Sequence, residues 1–194
     1  YENIRTRTLS GLQSEKINPI EALMALTKLR QAACSPELVD KHLTIPSSKI
    51  RVFLELVSEL KENKHRALVF SQFTSFLALV RQALDKAGIE YLYLDGSVPA
   101  AQRKKLVETF QNGDMPLFLI SLKAGGTGLN LTAADYVIHL DPWWNPAVED
   151  QASDRAYRIG QKRPVTIYKL ISEKTVEQKI LELHKTKKNL ADAL

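Results

Sequence analysis

Five short apolar runs punctuate the chain: RALVF (66–70), YLYL (91–94), LFLIS (117–121), YVIHL (136–140) and VTIYKLI (165–171). Helix-length segments separate them, which is the signature of βα units forming a parallel sheet buried on both faces. The fold class this predicts is α/β, a doubly wound parallel sheet. Ahead of the first run, Ile20, Leu23, Met24, Leu26, Leu29 and Ala33 recur at helical spacing until Ser35-Pro36 ends the pattern. Ser47 or Ser48 can cap a helix over 49–60, and Phe76, Leu77, Val80 and Leu84 mark another that Gly88 stops. Pro99 suits the first position of the next helix, Asn145 and Pro146 suit the N-cap and N1 of a later one, and an amphipathic stretch over 175–192 closes the chain.

Composition narrows the class without deciding it. A length of 194 residues fits one domain plus a modest appendage. No apolar run reaches the ~20 residues of a membrane span, and the opening YENIRTRTLSG lacks the apolar stretch of a secretory signal. The single cysteine, Cys34, excludes an internal disulfide framework and a multi-cysteine zinc site, so a reducing, intracellular setting is expected. A net charge of +5 permits contact with a polyanion but does not demand one.

Several catalytic kits are absent. No glycine is followed by lysine, so there is no GxxxxGK[ST] loop, and Leu131 breaks a GxGxxG reading that begins at Gly126 and Gly128. No Asp-Glu pair follows an apolar run to hold magnesium, and the four histidines lie in unrelated contexts; His139, inside a strand pattern, reads as structural. What remains gathers where open α/β sheets place ligands, at the C-terminal ends of the strands: Ser71-Gln72-Phe73, Asp95-Gly96, Ser121 to Asn130 and Asp141 to Arg158.

Within that cluster, Gly125, Gly126 and Gly128 allow a tight turn and close approach of backbone N–H groups to a ligand or a neighbouring domain. Lys123 can reach phosphate as a point charge, or simply face solvent. If the helix starting at Pro146 continues to residue 158, Gln151, Arg155 and Arg158 lie within about 60° on one face. Arginine suits an anion because its planar fork binds phosphate oxygens bidentately; the alternative is local neutralisation by Glu149 and Asp154. Trp143 and Trp144 at a strand-to-helix turn cannot both face one core, which predicts one packed and the other free to stack against a nucleic acid.

Read together, LVFSQFTSFL (68–77), YLDGSVPAAQRKKLVETFQ (93–111), LISLKAGGTGLNLTAADYVIHLDPWWNPAVEDQASDRAYRIGQ (119–161) and VTIYKLISEKTVEQKI (165–180) resemble the second RecA-like lobe of the SWI/SNF-type ATPases, in helicase superfamily two. The resemblance runs from about Leu29-Arg30-Gln31 to near the C-terminus, and the double tryptophan looks more like the microbial branch. It implies residues 1–46 as the end of a helical insertion between lobes and 47–194 as the lobe itself. It implies ATP, with Mg2+, held mainly by a first lobe outside this chain, and double-stranded DNA lying across both lobes. Carried over by position, Arg155 and Arg158 match the arginine fingers, and Gln151 matches the glutamine that couples nucleotide to lobe closure. Gly126, Gly128 and Asn130 match the turn near nucleotide and lobe interface. Lys123, Ser71, Gln72 and Trp144 match positions that contact DNA.

The whole protein is then expected to be a DNA-dependent ATPase and translocase, cytoplasmic in a microbe or nuclear in a eukaryote, and this chain alone to be inactive. A small-molecule enzyme would need a glycine fingerprint or catalytic set that is not visible. A non-enzymatic DNA- or protein-binding α/β module is the alternative reading.

Overall fold

A computed structural model describes residues 1–10, 18–43, 45–124, 129–157, 161 and 163–192. Helices α1 (Glu2–Ser10) and α2 (Pro19–Cys34) lead, a short 3-10 turn spans Pro36–Leu38, and α3 covers Ser48–Glu62. The sheet domain follows as β1 (Ala67–Ser71), α4 (Thr74–Lys86), β2 (Tyr91–Leu94), α5 (Ala100–Asn112), β3 (Leu117–Ser121), β4 (Tyr136–His139), α6 (Pro146–Ser153), β5 (Thr166–Lys169) and α7 (Val176–Asp192). All strands pair in parallel, in the order β2-β3-β1-β4-β5. Among the described residues no helix is long and apolar enough to cross a membrane.

The two-residue period of a strand sends alternate side chains to opposite faces. Ala67, Val69, Leu117, Leu119 and Ile138 meet Phe53 and Val57 of α3 and Phe76, Leu77 and Val80 of α4 on one side. Leu68, Phe70, Phe118, Ile120 and Val137 meet Phe110 of α5 and Ala152 of α6 on the other. The doubly wound expectation therefore holds, with one correction. Burial on both faces describes the inner strands β1, β3 and β4, whereas β5 is exposed along its whole length and β2 is mostly half-buried, because both are sheet edges.

Local chemistry sets most helix starts. Ser47, rather than Ser48, caps α3 through the Ile50 N–H at 3.3 Å, and Asn145 caps α6 through the Ala147 N–H at 3.2 Å with Pro146 at N1. Pro99 is the extended N-cap of α5 rather than its first helical residue. Gly88, at φ 64°, takes the left-handed turn that follows α4.

Helix α2 inverts its apolar pattern. Ile20, Leu23 and Met24 are exposed, at 67%, 61% and 58%, while Leu29, Arg30, Ala33 and Cys34 are buried. Ser47 Oγ and Ser172 Oγ donate to the carbonyls of Cys34 and Ala33, each at 2.7 Å, tying the end of α2 to the chain on both sides of the sheet domain.

Candidate functional site

The C-terminal ends of β1 and β4 lie side by side, since Leu140 N–H donates to the Phe70 carbonyl at 2.9 Å just past their ladder. Ser71 and Asp141 are both buried there, and the Ser71 hydroxyl donates to Asp141 Oδ1 in a short hydrogen bond. The Gln72 N–H reaches Asp141 Oδ2 at 3.3 Å. Burial pushes the Asp141 carboxyl up to about 6, against the pull of the Ser71 hydroxyl, Lys49 and Arg30. Ser71, expected to meet a nucleic-acid backbone, instead spends its hydroxyl inward on Asp141.

Arg30 reaches this junction from α2. It is 4% exposed, and its Nη1 donates to Gln72 Oε1 at 2.8 Å while Nη2 donates to the Pro142 carbonyl at 2.6 Å. Its guanidinium carbon lies 5.4 Å from the Phe73 ring centre, 5.4 Å from Trp143 and 5.1 Å from Trp144. Both tryptophans are half-buried against one cation; Trp143 also packs on the core, as expected of one ring of the pair, whereas Trp144 is held by Arg30 rather than free. A shared cation lets adjacent indoles converge where a common apolar core would not.

The turn after β4 is held from further directions. Trp143 N–H donates to Glu149 Oε1 at 2.6 Å, and Glu149 Oε2 takes a short ion pair from Lys169 of β5. His184 Nε2 of α7 donates to the Trp143 carbonyl at 2.6 Å. Beneath them His139 pairs through Nε2 with Ser153 Oγ at 3.0 Å and stacks on Phe70, and burial lowers its pKa to about 4. Because the Ser153 hydroxyl donates to the Glu149 carbonyl, His139 is left to donate. It is structural, as its strand context suggested.

The arginine segment departs from expectation. Helix α6 ends at Ser153 with Asp154 as its C-cap, so Gln151 and Arg155 do not share a helical face. Gln151 is exposed, whereas Arg155 is 2% exposed. The helix stops because tertiary contacts outweigh propensity: Ala156 is drawn into the core, and the Arg155 carbonyl accepts the Leu131 N–H at 3.0 Å. That bond ties Leu131, next to exposed Asn130, to the arginine segment. Gly126, Gly128 and Arg158 lie outside the described residues. Lys123 is exposed just beyond β3, beside Leu122, whose N–H bonds the Ser71 carbonyl at 2.8 Å.

Ser71, Gln72 and Trp144 thus meet around Arg30 and Asp141, while Asn130 is linked to Arg155 only through its neighbour Leu131. Sequence reasoning missed Arg30 and His184, and placed Asp141 and Glu149 in the cluster without their partners Ser71, Trp143 and Lys169. The one available signal was a charge at Arg30 among Leu29, Ala33 and Cys34 on one helical face. Among the described residues no group of three or more His, Cys, Asp or Glu side chains could hold a metal ion. A groove of about 830 Å3, lined by α1, α2 and the segment after it, lies apart from the strand ends and gathers none of their polar groups.

Residues 48–160 match the model of the helicase conserved C-terminal domain. The chain is 40% identical over 193 residues to the putative ATP-dependent helicase/translocase YwqA of Bacillus subtilis, covering 96% of this chain and 20% of that protein. It is 38% identical over 196 residues to the human SWI/SNF-related matrix-associated actin-dependent regulator of chromatin subfamily A member 1, covering 94% and 19%. It therefore spans about a fifth of the length of these relatives, and resembles bacterial and human proteins to a similar degree. Among solved structures, the Sulfolobus solfataricus SWI2/SNF2 ATPase core in complex with dsDNA superposes with TM-score 0.82 at 32% identity, covering 98% of this chain and 41% of that one. The C-terminal domain of the same ATPase superposes with TM-score 0.79 at 29% identity, covering 97% and 79%.

Proposed function

The chain belongs to the helicase conserved C-terminal domain family, as the C-terminal RecA-like lobe of a SWI2/SNF2-type ATPase, and from that premise we propose that it is the second motor lobe of an ATP-dependent duplex-DNA translocase. Residues 47–194 are the lobe and 1–46 the end of an insertion between lobes. Arg155 and Arg158 supply positive charge to a triphosphate held by a facing first lobe, with Gln151, Gly126, Gly128 and Asn130 at the interface. Lys123, Gln72 and Trp144 line the DNA track, and Ser71 supports it from within through Asp141.

One observation carries the nucleotide half of this reading. The Leu131–Arg155 main-chain bond ties the segment that carries Asn130 to the segment that carries Arg155, and supports their acting at one site. Burial of Arg155 adds a requirement, because closure of the facing lobe must bring its guanidinium to the phosphates. The DNA half is supported by the likeness to a homologous core solved with duplex.

Splitting the site between lobes makes hydrolysis depend on closure, and an arginine from across the cleft is worth about 10³–10⁵ in rate. In the intact polypeptide, Arg155→Ala or Arg158→Ala should lower ATP turnover by about 10³-fold or more, with ATP binding retained in a fluorescent-nucleotide titration. Near-normal turnover in both variants would end the assignment. The 194-residue chain alone should hydrolyse no ATP, because it has no phosphate-cradling GxxxxGK[ST] loop.

A further inference from the structure

We propose that Arg30 is a positioning residue: from α2 it sets the placement of Gln72 and Trp144 and so tunes the grip on duplex DNA. The inference rests on the reading of those two side chains as DNA contacts. Arg30 is too buried to meet a ligand itself, at 4% exposure, so any effect on binding passes through its neighbours.

Those neighbours belong to the two segments that leave β1 and β4. Its hydrogen bonds go to Gln72 and to the Pro142 carbonyl, 42 and 112 residues away in sequence. Its faces and edges meet Phe73, Trp143 and Trp144. A planar, always-charged guanidinium does two jobs there that an aliphatic side chain cannot: its plane fixes the tilt of the indoles, and its edge fixes the amide.

For Gln72 the consequence is specific. Arg30 only donates, so the amide must turn its oxygen toward it and its Nε2 away. The Gln72 main-chain N–H is meanwhile held by Asp141. Among the described residues buried Nε2 has no hydrogen-bond partner, so the donor turned away from Arg30 is still to be satisfied. Nor does Arg30 act as a simple ionic staple, since its nearest Asp141 oxygen is 3.9 Å away.

The test uses the intact polypeptide and duplex-stimulated ATP hydrolysis. Arg30→Met keeps the length of the side chain and removes its donors. It should raise the duplex concentration for half-maximal stimulation about tenfold, with turnover at saturating duplex falling less than about threefold. In a Gln72→Ala/Trp144→Ala background the same substitution should add less than about twofold, because the groups it positions are gone. An undiminished tenfold effect in that background overturns the positioning role and leaves the DNA reading intact. Gln72→Ala and Trp144→Ala variants with the wild-type duplex requirement overturn the DNA reading, and the inference with it. Should Arg30→Met fail to fold, Arg30→Lys decides: it keeps the charge but not the plane, and should still need at least about threefold more duplex. A wild-type requirement in folded Arg30→Lys overturns the proposal.

Discussion

Two buried cations, nineteen residues apart in sequence, are neutralised in opposite ways. Lys49 of α3 meets both oxygens of Glu177 at 2.7 Å, and Glu177 also accepts the Ser172 N–H at 2.8 Å and the Cys34 thiol at 3.8 Å. This is a closed assembly, with Lys49, Glu177 and Cys34 all buried and α2, α3 and α7 joined through one carboxylate. Among the described residues Arg30 of α2 has one long ion pair, to Asp141 at 3.9 Å, and its charge is spread over aromatic faces, an amide and a carbonyl at the strand ends. The first arrangement secures helices to one another. The second leaves polar atoms where a sheet of this kind meets its ligands. Burial of charge is therefore not one device in this molecule but two, and they should fail differently.

The contrast is broken most severely at the closed pair. Glu177→Ala strands Lys49 in the interior and should cost about 3–5 kcal/mol in denaturant unfolding. The double variant Lys49→Met/Glu177→Leu should recover most of that loss, because an apolar pair of similar volume needs no neutralisation. A Glu177→Ala variant within 1 kcal/mol of wild type, on the order of an exposed pair, would remove the distinction.

Titration of the strand-end cluster sharpens the contrast next. Asp141 is raised from its ordinary 3.8 to about 6, so its contribution is complete below pH 3.8 and lost as pH climbs through 6. His139 is lowered from 6.5 to about 4, so its contribution is complete above pH 6.5 and lost as pH falls through 4. Between pH 4 and 6 the two oppose each other. His139→Gln should therefore unmask a rise in stability on acidification, and Asp141→Asn a fall, each on the order of 2–3 kcal/mol over that window. Parallel pH profiles for the two variants would contradict the assigned shifts.

The smallest effect belongs to the outward half of α2. Leu23→Gln should change unfolding stability by no more than about 0.5 kcal/mol, as for a surface substitution away from any buried contact. A loss of several kcal/mol would mean that this face is covered in the folded chain.

Much of the architecture was legible beforehand because it rests on local rules. The runs YLYL and LFLIS match β2 and β3 residue for residue, and Gly88, Ser47 and Asn145 mark helix ends through chemistry within a few positions. The candidate site was legible as a neighbourhood, since its segments all follow strands. Its wiring was not. Nothing between Ser153 and Tyr157 carries a helix-stop signal, so the end of α6 depended on a bond from Leu131 and on the pull of the core on Ala156.

Periodicity and turn chemistry by themselves determined a parallel α/β sheet and the side of it where the candidate site residues gather, because both depend on residues within a turn or a strand of one another. Tertiary structure alone decided that Arg30 reaches inward past Gln72 to Pro142, 112 residues on, and that Lys49 finds Glu177, 128 residues on. A buried charge must find its partner wherever the folded chain brings one, and sequence spacing does not record that.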